Sequence, residues 1–151
     1  MGRKIDNSWR CAQSGKRLIK RAGKDVLSYR ISNLSGDKDG DMLGYLGLCP
    51  KQKDYEDQPD WNCEHSFWLN LYDGAIYING KFTQYIVAKQ KAGDICDMII
   101  NVSKGTLQFK INGVLKDLVI EEEALKLDIV DLYVTVMMQI QGPAVCFVNP
   151  S

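Results

Sequence analysis

Short blocks in which apolar and polar residues alternate are the feature that most restricts how this chain can fold. In residues 26–32, VLSYRIS, every second side chain is apolar, so one face of a strand would be buried. Similar blocks recur, separated by turn sequences about every 8–12 residues, which is typical of β-sandwiches and barrels. The strongest turns are Asn79-Gly80 and Asn112-Gly113, because both positions tolerate the positive φ of a two-residue hairpin. We therefore predict an all-β fold.

Most of the apolar blocks can alternate between a buried and an exposed face, so two antiparallel sheets packed face to face would bury a common core. We expect ten or more strands. One segment, EEEALK at 121–126, favours a helical turn instead. The clearest predicted strands lie within residues 25–34, 42–49, 66–72, 75–79, 94–102, 106–112, 114–120, 131–140 and 144–148.

The length and composition are those of one globular domain. The chain has 151 residues, of which 45% are hydrophobic and 25% are charged, which excludes a disordered chain or a disulfide-dominated miniprotein. No apolar run approaches the roughly 20 residues that cross a bilayer, and the N-terminus does not have the pattern of a signal peptide. We predict a single domain over residues 1–151, located in the cytoplasm.

The net charge of zero hides an asymmetry. Residues 1–24 contain eight Lys or Arg and one Asp, a charge of +7, which the remaining residues balance with −7. The overall balance argues against a nucleic-acid partner, which would need a basic footprint. We expect the basic segment 1–24 to be solvated and to pair with acidic loops nearby. The alternative is a patch for an acidic partner or a membrane surface.

The sequence contains no motif for catalysis or for a cofactor. Its one histidine, His65, precedes Ser66, but G-x-S-x-G is absent, and so are the glycine motifs that hold phosphates. The five cysteines include no C-x-x-C pair, so we expect reduced thiols rather than a metal or redox site. We therefore predict no catalytic residue, no cofactor and no metal ligand.

Three aspartates at alternate positions, Asp37, Asp39 and Asp41, raise the question of a calcium site. An EF-hand loop would need glycine where Met42 stands and glutamate where Leu48 stands. A surface turn that tolerates three carboxylates fits better. Whether these aspartates bind an ion stays open at this point.

One long polar loop, residues 50–65, is a candidate for function, because structureless loops of this length in compact domains are uncommon. It contains two aromatic residues, Tyr55 and Trp61, among acidic ones. These rings either fold back over the edge of the core or anchor a partner, and the sequence leaves both alternatives open. The acidic charge of the loop is unfavourable for nucleic acid.

Three stretches of the second half resemble a known family. The first is FWLNLYDGAIYINGK, a tryptophan-containing strand that leads into a Tyr-Asp-Gly turn. The second, KAGDICDMIINVSKGTLQFKINGVLKDLVI, has Gly-Asp before an apolar strand and then Gly-Thr-Leu-x-Phe-x-x-Asn-Gly. The third is DLYVTVMMQIQGPAVCFV, similar to a closing pair of strands. Over residues 67–148 the chain therefore resembles the SPRY domain family.

The resemblance implies a bent sandwich of two antiparallel sheets that acts as a protein-interaction module, without catalysis or a cofactor. It also implies that a protein or peptide partner contacts loops at one edge of the sandwich, here residues 50–65 and 139–143. The acidic side chains of the first loop would favour a basic partner. The predicted contact residues are Asp54, Tyr55, Glu56, Asp57, Trp61, Gln139 and Gln141.

Other functions fit the same pattern. The domain would be a structural subunit of a larger assembly if its sheet faces were covered by other proteins. It would be a lectin-like sandwich if loop carboxylates and aromatic rings bound carbohydrate. A hydrolase would need a cleft around His65, which nothing in the sequence predicts.

Overall fold

The predicted all-β sandwich is confirmed by a computed structural model, which describes residues 9–32, 44–51, 63–86, 93–139 and 147–150. These residues form two antiparallel sheets, here called sheet A and sheet B. Sheet A has the strand order β1-β11-β3-β4-β5-β6, and sheet B has the order β12-β2-β7-β8-β10 with β9 beside β8.

Sheet A joins strands that are distant in sequence, because β11 lies between β1 and β3. Its strands are β1 (Trp9–Gln13), β3 (Gly44–Cys49), β4 (Phe67–Asn70), β5 (Ala75–Ile78), β6 (Lys81–Tyr85) and β11 (Tyr133–Gln139).

Sheet B is built around the neighbouring strands β2, β7 and β8. Its strands are β2 (Val26–Ser32), β7 (Cys96–Asn101), β8 (Thr106–Ile111), β9 (Val114–Leu115), β10 (Ile120–Glu121) and β12 (Phe147–Pro150).

The core lies between the two sheets and follows the predicted alternation. On β8, Leu107, Phe109 and Ile111 are buried while the residues between them are partly exposed. The same period of two applies to the inward residues of sheet A. The fully or almost fully buried side chains of this core include Ile31, Leu46, Leu48, Phe67, Leu69, Ile76, Met98, Ile100 and Val134.

The two hairpin turns have the predicted backbone conformation. Asn79 and Gly80 have φ values of 54° and 77°, and Asn112 and Gly113 have 48° and 82°. Positive φ at both central residues lets the turn follow the twist of the flanking strands.

Four strands differ from the predicted blocks, whereas the predicted helical turn is present. Residues 114–120 form two short strands, β9 and β10, rather than one. The helix-favouring segment forms one 3₁₀ turn, Glu123–Lys126. Strands β1 and β6 lie outside the clear predicted blocks, and β6 pairs with β5 through the Asn79-Gly80 hairpin.

The basic N-terminal segment pairs with acidic residues near the start of β11, as expected from its charge. Lys20 Nζ lies 2.6 Å from Asp128 Oδ1, and Arg17 Nε lies 3.6 Å from Asp131 Oδ1. All four side chains are substantially exposed, so these pairs contribute little stability.

Candidate protein-binding surface

The predicted binding loop, residues 50–65, leaves sheet A at the end of β3 and returns at the start of β4. Leu48 pairs with Phe67, so both ends of the loop lie at the same end of the sheet. The structure describes only residues 50–51 and 63–65 of the loop. Five predicted contact residues therefore lie outside the described residues: Asp54, Tyr55, Glu56, Asp57 and Trp61.

Polar contacts hold the first residue of this loop. The side-chain amide of Gln13, on β1, donates from Nε2 to the carbonyl oxygen of Pro50 at 3.1 Å and to Thr135 Oγ1 at 3.0 Å. The same nitrogen lies 3.4 Å from Cys49 Sγ. Strands β1 and β11 thus position the point where the loop begins.

A tight turn holds the returning end of the loop. The Ser66 hydroxyl donates to the carbonyl oxygen of Cys63 at 2.7 Å, and the backbone N–H of His65 donates to Asn79 Oδ1 at 2.7 Å. His65 has a φ of 62°, in the left-handed region that non-glycine residues seldom adopt. Its neighbours hold it in this conformation, so the turn defines the direction from which the loop returns.

The second part of the predicted site starts from the opposite end of the same strands. Tyr133, the first residue of β11, pairs with Cys49, whereas Met138 pairs with Gly44. Six residue steps, about 20 Å at about 3.4 Å per residue, therefore separate Gln139 from Tyr133, which lies opposite the last residue before the 50–65 loop. Gln141 lies outside the described residues, and for Gln139 the backbone alone is described.

An apolar cluster on the outer face of sheet A, here called the outer cluster, supports both ends of the loop. It consists of Tyr45, Cys49, Trp68 and Met137, with Cys63 and Tyr77 packed against it. Trp68 is 1% exposed although it points away from the core between the sheets. Since Cys49 directly precedes the loop and Cys63 lies near its end, both of its ends contact one buried cluster.

A row of four aromatic rings, here called the aromatic row, extends from the outer cluster to β6, the last strand of sheet A among the described residues. The ring centroids of Tyr45 and Tyr77 are 5.8 Å apart, those of Tyr77 and Phe82 are 6.0 Å apart, and those of Phe82 and Tyr85 are 4.9 Å apart. Exposure increases along the row, from 8% for Tyr45 to 50% for Phe82 and 63% for Tyr85. The first ring of the row is therefore buried in the outer cluster, and the last two rings are exposed to solvent.

A β-bulge creates the exposed end of this row. Tyr77 pairs with Phe82 but Ile76 pairs with Gln84, so Thr83 is an extra residue in β6. The Thr83 hydroxyl donates to the carbonyl oxygen of Ile76 at 2.9 Å. Regular strands place residues i and i+2 on one face, and the extra residue makes positions 82 and 85 share a face instead.

Burial and nearby charge alter the acidity of Tyr45. Its pKa is raised to about 12, mainly because burial disfavours the phenolate, with smaller contributions from Tyr77 and the carboxylate of Asp73. The charge of Asp73 therefore acts on the buried end of the aromatic row, at Tyr45.

The outer face of sheet B carries a paired carboxylate instead of aromatic rings. The Arg30 guanidinium donates to both oxygens of Asp97, at 2.8 Å and 3.2 Å. The side chain of Asp97 is 8% exposed and that of Arg30 is 58% exposed. The Asp97 side chain raises the pKa of Arg30, through the hydrogen bond and then through its charge.

The neighbouring residue Cys96 belongs to the core between the sheets. Burial, followed by the charge of Asp97, raises the pKa of Cys96 to about 12.

The residues considered for catalysis have structural roles where the structure describes them. Ser66 is fully buried and its hydroxyl is used in the turn before β4. His65 Nε2 faces Glu64 at 3.6 Å, and the side chain of Glu64 is 83% exposed. Within the described ranges no three His, Cys, Asp or Glu side chains are grouped to hold a metal ion. The aspartates Asp37, Asp39 and Asp41 lie outside those ranges.

SPRY domains are among the solved structures that the fold of this chain matches. The SPRY domain of human HERC1 superposes with a TM-score of 0.67 at 17% identity, covering 95% of this chain and 82% of that one. A second human SPRY domain gives a TM-score of 0.63 at 19% identity, covering 96% of this chain and 85% of that one. The chain folds as a SPRY-like domain. No protein-family model matches its sequence, and no curated protein does.

The SPRY-like fold extends the similarity beyond residues 67–148, where the sequence shows the resemblance. At 17–19% identity the likeness to these structures shows the fold alone. In the described residues of this SPRY-like domain, no helix is long and apolar enough to span a membrane.

Sequence reasoning missed the exposed half of the aromatic row. Tyr72, in the predicted strand block 66–72, instead lies in the turn before β5 and is 43% exposed. The sequence KFTQY does not predict that Phe82 and Tyr85 share a face, because they are three residues apart and only the bulge brings them to the same side of β6. The one available signal was the Asn79-Gly80 turn, which implies that a partner strand follows β5.

Proposed function

We propose that this SPRY-like domain is a non-catalytic protein-interaction module that recognises a peptide or protein surface through its edge loops. The observation that carries the proposal is the likeness to the HERC1 SPRY domain over 95% of the chain. The firmly held ends of the 50–65 loop support it, because a rigid scaffold reduces the ordering cost of binding by a loop.

We propose two groups of contact residues, one at each end of β3 and β11. Asp54, Tyr55, Glu56, Asp57 and Trp61 belong to the 50–65 loop, and Gln139 and Gln141 belong to the other end. The aromatic residues would anchor the partner, since Tyr and Trp dominate binding energy at interfaces. The three acidic residues would accelerate association with a basic partner and would act mainly on the on-rate.

Affinity purification from cell extract with separate variants tests both groups. The Tyr55→Ala/Trp61→Ala variant should lose partners that the wild type retains, and Gln139→Ala/Gln141→Ala tests the opposite end by itself. The control is Val119→Ala, because Val119 is an apolar residue between β9 and β10 that is 47% exposed and lies outside both groups. Identical partner lists for the wild type and both loop variants would overturn the assignment of the site.

Salt dependence tests the proposed preference for a basic partner. An Asp54→Asn/Glu56→Gln/Asp57→Asn variant should bind a captured partner with a lower on-rate and with a weaker dependence of that rate on salt. An unchanged on-rate at low salt would show that these carboxylates do not steer association.

A further inference from the structure

The exposed end of the aromatic row places two large aromatic side chains, Phe82 and Tyr85, on the solvent-exposed surface of β6. Phe82 and Tyr85 are 50% and 63% exposed, and their rings meet at 56° with centroids 4.9 Å apart. Their inner neighbour, Tyr77, contacts Phe82 edge-on at 67°. The rings of Phe82 and Tyr85 are thus exposed to solvent and contact each other, and Tyr77 packs against Phe82 on the side of the outer cluster.

A carboxylate lies at the same end of the hairpin. Asp73 Oδ1 accepts a hydrogen bond from the backbone N–H of Ala75 at 2.9 Å, which holds the carboxylate in the turn before β5. The next residue, Gly74, accepts a hydrogen bond from the N–H of Ile86 at 2.8 Å, so this turn lies against the end of β6. Ala75 is also the register partner of Tyr85. Asp73 therefore lies in a turn that adjoins the end of β6, two residues before the register partner of Tyr85.

The local charge favours a cation. Among residues 66–80 and 82–86 the one charged side chain is Asp73. Lys81 pairs with Ile78 at the opposite, turn end of the hairpin. Among the described residues of this hairpin, the Tyr85 end of the row therefore combines aromatic faces with one negative charge, and Lys89 and Lys91 lie outside the described residues.

We propose that Phe82, Tyr85 and Asp73 form a site that binds an arginine side chain presented by a partner protein. A cation is attracted by a ring whose centroid lies within about 6 Å, so rings 4.9 Å apart can both contact one guanidinium. The planar guanidinium stacks on an aromatic face, is weakly hydrated and pairs with carboxylates. Asp73 supplies the charge that arginine needs.

Three other ligands fit less well. An added β-strand would need a regular row of backbone groups, and the bulge at Thr83 interrupts the edge of β6. A flat sugar ring would need a level platform, whereas the exposed rings are inclined at 56°. An acidic ligand would be repelled by Asp73.

Aromatic NMR spectroscopy with a defined peptide tests the proposal. The probe is the acetylated and amidated peptide Gly-Arg-Gly-Arg-Gly, and its counterpart has neutral citrulline in place of each arginine. The arginine peptide should shift the ring signals of Phe82 and Tyr85 saturably, and the citrulline peptide should bind less. The half-saturation concentration should rise about two- to fivefold in Tyr85→Leu and in Phe82→Leu, as expected for exposed cation–π contacts.

Two further variants separate charge from folding. Asp73→Asn retains a side-chain oxygen for the Ala75 N–H but removes the charge, so it should weaken binding and reduce its salt dependence. Val114→Ala, at an exposed residue on β9 that is 58% exposed, should bind like the wild type. Retained backbone NMR signals of sheet A would show that each variant is folded.

The proposal is overturned if the citrulline peptide or a glucose oligomer shifts the same rings as strongly as the arginine peptide. It is also overturned if folded Tyr85→Leu retains wild-type half-saturation. This surface lies on β5 and β6, outside the loops of the proposed function. A negative result here would therefore leave the loop assignment intact, and failure of the loop variants would leave this one intact.

Discussion

At the scale of single residues, close contacts in sheet A and a buried charge in sheet B leave little freedom for substitution. Gly47 lies on β3 opposite Trp68, and a Cβ at this position would be 3.0 Å from the Trp68 ring and would overlap the carbonyl oxygen of Phe67. Asp97 is buried and depends on Arg30 for its countercharge. Sequence pattern alone marks neither position, because both requirements come from the neighbouring strand.

Gly47→Ala should destabilise the domain by about 3 kcal/mol or more, because backbone atoms of β4 cannot yield to the added methyl group without disturbing the ladder. Urea unfolding monitored by tryptophan fluorescence measures the change. Gly15→Ala is the matched control, since nothing lies within 4 Å of the added Cβ, and it should change stability by less than about 0.5 kcal/mol. Equal effects of the two variants would contradict the close approach of β3 and β4.

Arg30→Gln should lower the unfolding midpoint more than Asp97→Asn does. The first variant leaves a buried carboxylate without its guanidinium, whereas the second leaves a guanidinium that is largely hydrated. Arg17→Gln, which breaks an exposed pair with Asp131, should change the midpoint little. The reverse order of the first two variants in a thermal melt would count against a buried Asp97.

At the scale of elements, β6 shows how one extra residue changes what an edge strand presents. Without the bulge, Phe82 and Gln84 would share a face, and Tyr85 would lie on the other. The Thr83 hydroxyl holds the bulge through the carbonyl oxygen of Ile76. The bulge also interrupts the edge, which discourages pairing with other chains.

Thr83→Val should loosen the β5–β6 hairpin because it keeps the shape of the side chain and removes its hydrogen-bond donor. The expected loss is about 1 kcal/mol, and it should appear as faster hydrogen exchange of the Ile86 amide, which bonds to Gly74. Thr83→Ser keeps the hydroxyl and should retain most of the protection. If both variants exchanged like the wild type, the hydroxyl would have no role in holding the bulge.

At the scale of the whole molecule, two buried acidic groups link stability to alkaline pH. The pKa of Cys96 is raised from 9.0 to about 12, and that of Tyr45 is raised from 10.0 to about 12. Between these values the unfolded chain loses protons that the folded chain keeps, so the free energy of unfolding falls as pH rises.

Stability should therefore be constant with respect to these two groups below about pH 9 and should decline towards pH 12. Urea unfolding at a series of pH values measures the decline. The double variant Tyr45→Phe/Cys96→Ala should show a flatter alkaline profile than the wild type, whatever its stability at pH 7. A decline of the same steepness in both proteins would mean that these groups are not the cause.

Much of the architecture could be predicted because its signals are local. The alternation in TLQFKI is sufficient to define β8, and Asn112-Gly113 is sufficient to define the turn after it. The site was less predictable. The resemblance places residues 50–65 and 139–143 at one edge of the sandwich. In the structure, the register of the strands makes these two segments begin at opposite ends of β3 and β11.

The sequence by itself determined the fold class, the two positive-φ hairpins and the inward side chains, because period-two burial and turn conformation depend on near neighbours along the chain. Tertiary structure decided which strands lie together, including β11 between β1 and β3, and how the bulge of β6 lines up Phe82 with Tyr85. These features arise from register between distant segments, and register depends on the packing of two whole sheets rather than on local sequence.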